Sequence, residues 1–472
     1  MDGIAVGKAI WLAGLALLAS SPRQAPAPLF TEEERQAVVQ FWAQPGRYLE
    51  SLPPDSDKVG PFEVRLTVEG STWLREYNRL RGMNKVAPTT TAKPQNEQQK
   101  GWQDWIDAKI EHDRWMAEQV AQQSNRKLAG HDTKLDDRTL PPAEPPDPGP
   151  APADLIAFAG DPPRFADSVV PMMHQISFDD GTKISFADNV KMRKNYAYYR
   201  FRQGVNWDGD TVKEMPEDHL RSLCQKAGLS DSEFRVMKAV SMLEGGFDAI
   251  NTYDTGFVSV GFIQFATLKD GGNSLGDMMK LYKDEDPQDF QTDFRRYGID
   301  VTPDAKLACL DPATGAELTG EAAVRKVIDD PRLIAVFDYD GEKSDAYDAM
   351  QLRSAKAQFF PADDPISVDV NGRVLAGKVS DVFHSEAGLA TLMDRKVNTG
   401  HLDPLPETLQ DFAAANQVAS LADLAKYEHD IVQALQYRRD FLASADLSQP
   451  DETVRSKPLA SRGGDRGKHG GH

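Results

Sequence analysis

Between Leu140 and Pro152 the chain places seven prolines in thirteen residues (Leu-Pro-Pro-Ala-Glu-Pro-Pro-Asp-Pro-Gly-Pro-Ala-Pro). Proline fixes φ and lacks a backbone donor, so this stretch can enter neither helix nor sheet and reads as a stiff spacer. It sets the firmest boundary in the sequence, a linker at 136–153 that follows a first unit at 29–135. At 472 residues the chain has room for two or three domains and an ample core.

Charge and targeting narrow the field further. A formal net charge of −19 argues against a general nucleic-acid partner, because polyphosphate would be repelled. Residues 1–24 read as a secretory signal, with Lys8 in a thin positive region, an apolar core from Ala9 to Ala19, and Ala19, Ser20 and Ser21 ahead of Pro22. The expected location is secreted or periplasmic. The apolar run is about half of the ~20 residues a membrane span needs, so no stable span is expected once the signal is removed. The two cysteines, Cys224 and Cys309, allow one disulfide or two buried thiols and specify no metal site. Nine histidines show no paired metal spacing, and no phosphate-binding glycine loop is present, so neither a metal nor a cofactor is expected.

Within the first unit, Thr31 and Glu34 form a capping-box pattern ahead of Ala37, Val38 and Phe41. Phe62–Val68 alternates as a strand, and helices are predicted from Ser71 and over Gly101–Gln122. Five of the seven tryptophans fall here (Trp42, Trp73, Trp102, Trp105 and Trp115), read as core rather than as a sugar-stacking surface. After the linker, in a β-hairpin region at 154–215, Ile176–Phe186 predicts a hairpin with a type I′ turn at Asp180-Gly181. An aromatic cluster, Tyr196–Phe201, is expected to pack it against later helices.

From Glu217 the pattern is mostly helical. Ser230 and Glu233 cap a helix over Asp231–Leu243, and further helices are predicted at Leu275–Tyr282, Asp289–Tyr297, Glu321–Ile328, Ser344–Gln358, Glu386–Thr399, Leu405–Asn416 and Leu421–Ser444. A second hairpin centres on Asn371-Gly372, and Phe257–Phe265 alternates as a strand. Asp338-Tyr-Asp340-Gly341 lacks the spacing of a calcium loop and reads as a solvated turn. Residues 446–472 read as a disordered tail.

The chemistry concentrates where the Asp231–Leu243 helix gives way to Glu244-Gly245-Gly246. A carboxyl in the last helical turn faces the negative end of the helix dipole, and apolar neighbours withhold solvation. Both effects raise its pKa and suit it to general-acid work near neutral pH. Asp254, among Asn251, Thr252 and Thr255, is expected to stay ionised and to serve as base or electrostatic partner. Thr252, Tyr253, Ser259, Gln264 and Phe265 are the candidates for orienting water and substrate. The donor role requires that Glu244 face a groove and be free of a locking salt bridge.

Several of these segments resemble known motifs. Glu244-Gly-Gly-Phe247 and Gly261-Phe-Ile-Gln264-Phe265 resemble the Glu-Ser-x-Phe and Gly-Leu-Met-Gln motifs of goose-type lysozymes and lytic transglycosylases. Tyr253-Asp254-Thr-Gly-Phe-Val-Ser259 looks like the acid-bearing β-ribbon of phage-type lysozymes, one residue shorter between Asp and Ser. Leu389–Gly400 is similar to a core helix of phage-type muramidases and chitosanases, and Gln436–Phe441 to the closing helix of the same clan.

The resemblance implies an α+β, mainly α fold: a lysozyme-like domain at 216–445 with a small β-ribbon, beside the mostly helical first unit. It further implies cleavage of a β-1,4-linked amino-sugar polymer, peptidoglycan first. Chitosan is the runner-up, since its cationic chain would be drawn to an acidic protein. A lytic transglycosylase, and an inactive glycan-binding or scaffold protein, are the other readings.

Overall fold

A computed structural model describes residues 27–82, 94–128, 143–188 and 204–457, apart from 208, 210, 211, 213, 243, 453 and 455. The expected signal at 1–24, the Tyr196–Phe201 cluster and most of the tail lie outside the described residues.

The fold is α+β with helix predominant, and its described strands form five small antiparallel sheets. Both capping boxes form. Thr31 and Glu34 start the helix Glu32–Trp42, and Ser230 and Glu233 start Asp231–Ser241. Each pairs two orphan donors at a helix start, which is why the pattern is legible in sequence.

The proline-rich stretch joins parts that pack on each other. Tyr48–Ser51, before it, is an edge strand against Met173–Ser177, after it; likewise Glu63–Leu66 pairs with Ala166–Val169. Phe30, Val38 and Trp42 enter the same core as the helices beyond Glu217. The indole of Trp42 donates to the Tyr297 carbonyl at 3.0 Å, and Glu317 accepts the backbone N–H groups of Leu29 and Phe30. A second core joins Trp73, Tyr77, Trp102 and Ile106 to Leu155 and Phe165. The four-residue strands of the first unit have too few partners of their own, so their backbone groups are satisfied by strands from beyond the linker.

Several local expectations are corrected. The hairpin turn at 178–182 has positive φ only at Gly181 (88°), and Phe178 accepts the Gly181 N–H. That is a type I turn with a glycine bulge rather than type I′. Asp180 accepts from both the N–H and the hydroxyl of Thr182, which holds it outside the left-handed region. At Asn371-Gly372, by contrast, both φ values are positive (54° and 81°), as type I′ requires.

The expected strand Phe257–Phe265 is two short strands, Ser259–Val260 and Phe265–Ala266, separated by a turn in which Gln264 has φ 55°. Asp338–Gly341 is no solvated turn: it lies within the helix Pro331–Lys343, and Asp340 is buried. The expected helix Leu421–Ser444 is broken into Ala422–Tyr427 (3₁₀), Glu428–Leu435 (α) and Phe441–Ala443 (3₁₀). The central helix ends at Leu435, whose free carbonyl accepts from Arg395 at 2.8 Å.

Both cysteines are free and buried, which settles the disulfide question left open by spacing. Burial pushes each thiol up to about 12. Among the described residues, no helix is long and apolar enough to cross a membrane.

Candidate active site

The helix Asp231–Ser241 ends one turn before Glu244, whose N–H returns to the Ser241 carbonyl at 2.8 Å. Gly245 then takes φ 148° and turns the chain toward Phe247. Two contacts hold that turn. The helix Pro331–Lys343 runs so close that a Cβ on Gly341 would lie 2.4 Å from the Phe247 carbonyl oxygen. Gln351, fully buried, donates to that same oxygen at 2.9 Å and accepts the Phe262 N–H at 3.1 Å. One amide thus ties the segment after Glu244 to the Gly261–Gln264 turn. Nothing in the spacing of the sequence singled Gln351 out.

Gly261 has φ 79°, and a Cβ there would sit 2.0 Å from the Gln351 amide oxygen. Gly261→Ala is therefore expected to lower stability by about 2–4 kcal/mol, combining backbone strain with loss of a buried hydrogen bond. Equilibrium urea unfolding of the variant measures this directly.

The Glu244 side chain is 13% exposed, and its Oε1 faces two donors. One is an Nη2 of Arg438; the other is the Asn398 amide at 3.4 Å. Arg438 also grips Asp394 Oδ1, through Nε at 3.0 Å and Nη2 at 2.5 Å. Asp394 and Asn398 stand one turn apart on the helix Glu386–Thr399, whereas Arg438 comes from the irregular stretch that follows Leu435. The break in the last predicted helix is what lets Arg438 reach this position.

The requirement that Glu244 be free of a salt bridge is not met, because it pairs with Arg438. The pair is shared, however. A single guanidinium stands between two carboxyl groups, one of them (Asp394) with a side chain only 1% exposed. It can neutralise one negative charge, and two of its N–H groups point at Asp394. Glu244 is held above the usual carboxylate range by burial first and by the Asp394 charge, while Arg438 and Asn398 pull it down.

No protein family, curated protein or solved structure matched the chain. The functional reading therefore rests on this geometry and on the motif resemblance.

The other predicted site residues divide. Asp254 is half-buried in the loop joining the second and third strands of a four-stranded ribbon sheet (Asn206–Trp207, Ile250–Asn251, Ser259–Val260, Phe265–Ala266). Its Oδ1 accepts the Gly256 N–H at 2.8 Å and its Oδ2 accepts the Asn251 amide at 3.1 Å, the polar setting expected for it. Thr252 and Phe265 are fully buried, which corrects their assignment to substrate binding. The Thr252 hydroxyl accepts the Val205 N–H at 3.0 Å and so pins the ribbon to the segment before it. Tyr253 (3% exposed) and Ser259 (5%) are also largely enclosed. Gln264 remains part-exposed, its amide donating to the Gly261 carbonyl at 3.1 Å. Among the described residues, no group of three or more His, Cys, Asp and Glu side chains is arranged to hold a metal ion.

Proposed function

We propose that the chain is an exported, lysozyme-like glycoside hydrolase that cleaves a β-1,4-linked amino-sugar polymer, with peptidoglycan as first substrate. The observation that carries this reading is the meeting of three separately recognised segments at one carboxyl. Glu244 comes from the first motif, Asp394 and Asn398 from the Leu389–Gly400 segment, and Arg438 from the Gln436–Phe441 segment. Glu244 delivers its proton to the glycosidic oxygen, and Arg438 then compensates the carboxylate that remains. Asp254, already solvated by amide donors, serves as the ionised partner of an oxocarbenium-like centre.

Purified protein incubated separately with peptidoglycan and chitosan is expected to release reducing ends. Glu244→Gln is expected to cut that release ~10²–10⁴-fold, the usual contribution of a positioned acid. Anhydro ends in place of reducing ends would assign the protein as a lytic transglycosylase, which needs one acid only. The ion pair on Glu244 favours a second reading, a glycan-binding scaffold without turnover. Binding of either polymer with no released ends would establish it.

A further inference from the structure

We infer that the cavity beside the helix Asp231–Ser241 is a binding site for a small amphiphilic anion, a carboxylate or phosphate monoester carrying an apolar body. The cavity holds about 330 Å³, within the range of small-molecule pockets. Phe234, Leu447, Cys224 and Met242 give it an apolar wall. The first three are buried, and the Cys224 thiol, pushed up to about 12, remains a neutral part of that wall.

Four cations line the same cavity, and two are already engaged. Lys238 stands 3.5 Å from Glu217, and Arg235 binds Glu386 through Nε and Nη2. Arg221 and Arg439 line it with no hydrogen bond or ion pair to another described residue; Arg439 makes only a ring contact with Phe441. Two guanidinium groups without a carboxylate are unexpected in a chain of net charge −19. Glu217, Asp231 and Asp446 also line the cavity; all three are exposed, as Arg221 is, whereas Arg439 is half-buried, and none of the three acids pairs with either guanidinium.

The paired chemistry defines the ligand class. A guanidinium fork binds carboxylate or phosphate oxygens through parallel N–H donors. An inorganic ion would leave the apolar wall uncovered, and a neutral hydrocarbon would leave both forks unused. A ligand with an anionic head and a hydrophobic body uses both. The site does not involve Glu244, so it stands or falls separately from glycan cleavage.

Calorimetric titration and thermal unfolding of the full chain, with phenyl phosphate and phenylacetate as probes, test the proposal. At least one probe is expected to bind saturably and raise Tm. Inorganic phosphate and benzyl alcohol are expected to bind at least tenfold more weakly. Arg221→Gln and Arg439→Gln, measured singly and together, are expected to weaken the anion several-fold each and at least tenfold jointly. Phenyl phosphate binding alone identifies a phosphate ligand, and phenylacetate alone a carboxylate. The proposal is overturned if neither probe binds, if benzyl alcohol binds as tightly, or if the single variants keep full affinity.

Discussion

Arg438→Met is expected to be among the most damaging single substitutions in this chain, costing about 3–5 kcal/mol at neutral pH. The cost follows from what the substitution leaves behind. Asp394, with a side chain 1% exposed, would keep only the Asn398 amide at 3.3 Å from its Oδ1. An unpaired carboxylate held out of water is expensive; removing the charge with its partner is far cheaper. The double variant Arg438→Met/Asp394→Asn is therefore expected to recover most of the lost stability. Urea unfolding of the wild type, both singles and the double closes a mutant cycle whose coupling energy reads the pair. Equal losses in the single and the double would mean that Arg438 contributes packing rather than charge. Loss of Arg438 also removes the main influence pulling the Glu244 pKa down, so any acid-dependent activity that survives should extend to higher pH.

The second large effect concerns pH. Asp340 and Asp348 are 1% and 3% exposed, and each leaves one carboxyl oxygen without a hydrogen-bond partner among the described residues. Burial raises Asp340 well above the ordinary range. The charges of Asp293 and Asp348 add to this, and Arg296 offsets only part. Asp348 is raised likewise, by burial and then by Asp345, Asp248 and Asp293, with Lys226 opposing. Asp293 is also raised by burial, against hydrogen bonds from Ser344 and from Tyr282 at 2.6 Å.

A carboxyl whose pKa is higher folded than unfolded gives its full stabilisation below the unfolded value, near pH 4. It loses that contribution as pH rises through the folded value. Each such group costs about 1.4 kcal/mol per pH unit across that window. Asp340→Asn removes the titration while keeping the shape. It is expected to raise Tm at pH 8 and to change little at pH 4.5. Because Glu34 and Glu386 shift the opposite way, the difference between variant and wild type is the quantity to follow. A variant less stable at pH 8 would show that Asp340 is ionised and stabilising.

How far the sequence spoke for the structure can be seen at particular residues. Caps and two-residue turns were legible wherever the partners are local: Thr31 with Glu34, Ser230 with Glu233, and Asn371-Gly372. The helix Pro331–Lys343 was missed because Asp338, Asp340 and Gly341 look like turn residues. The helix forms across them all the same, burying Asp338 and Asp340, and its glycine admits the Phe247 backbone. At the candidate site, the sequence singled out Glu244 by its place before two glycines. The partners that tune it were not legible, since Arg438 lies 194 positions away and reaches Glu244 from beyond the break after Leu435. Thr252 and Phe265 misled for the converse reason. Thr252 follows Asn251 and Phe265 follows Gln264, yet the ribbon turns both side chains inward.

Leu29 is sewn to a distant segment: it donates to Glu317, 288 positions further on. During synthesis Leu29 must wait for 288 further residues before its acceptor exists. Helices closed by near neighbours, such as Glu386–Thr399, face no such delay. Residues 29–42 thus leave the ribosome well before the partners they pack on, and a chain stopped short of Tyr297 and Glu317 would leave Phe30 and Trp42 without that cover.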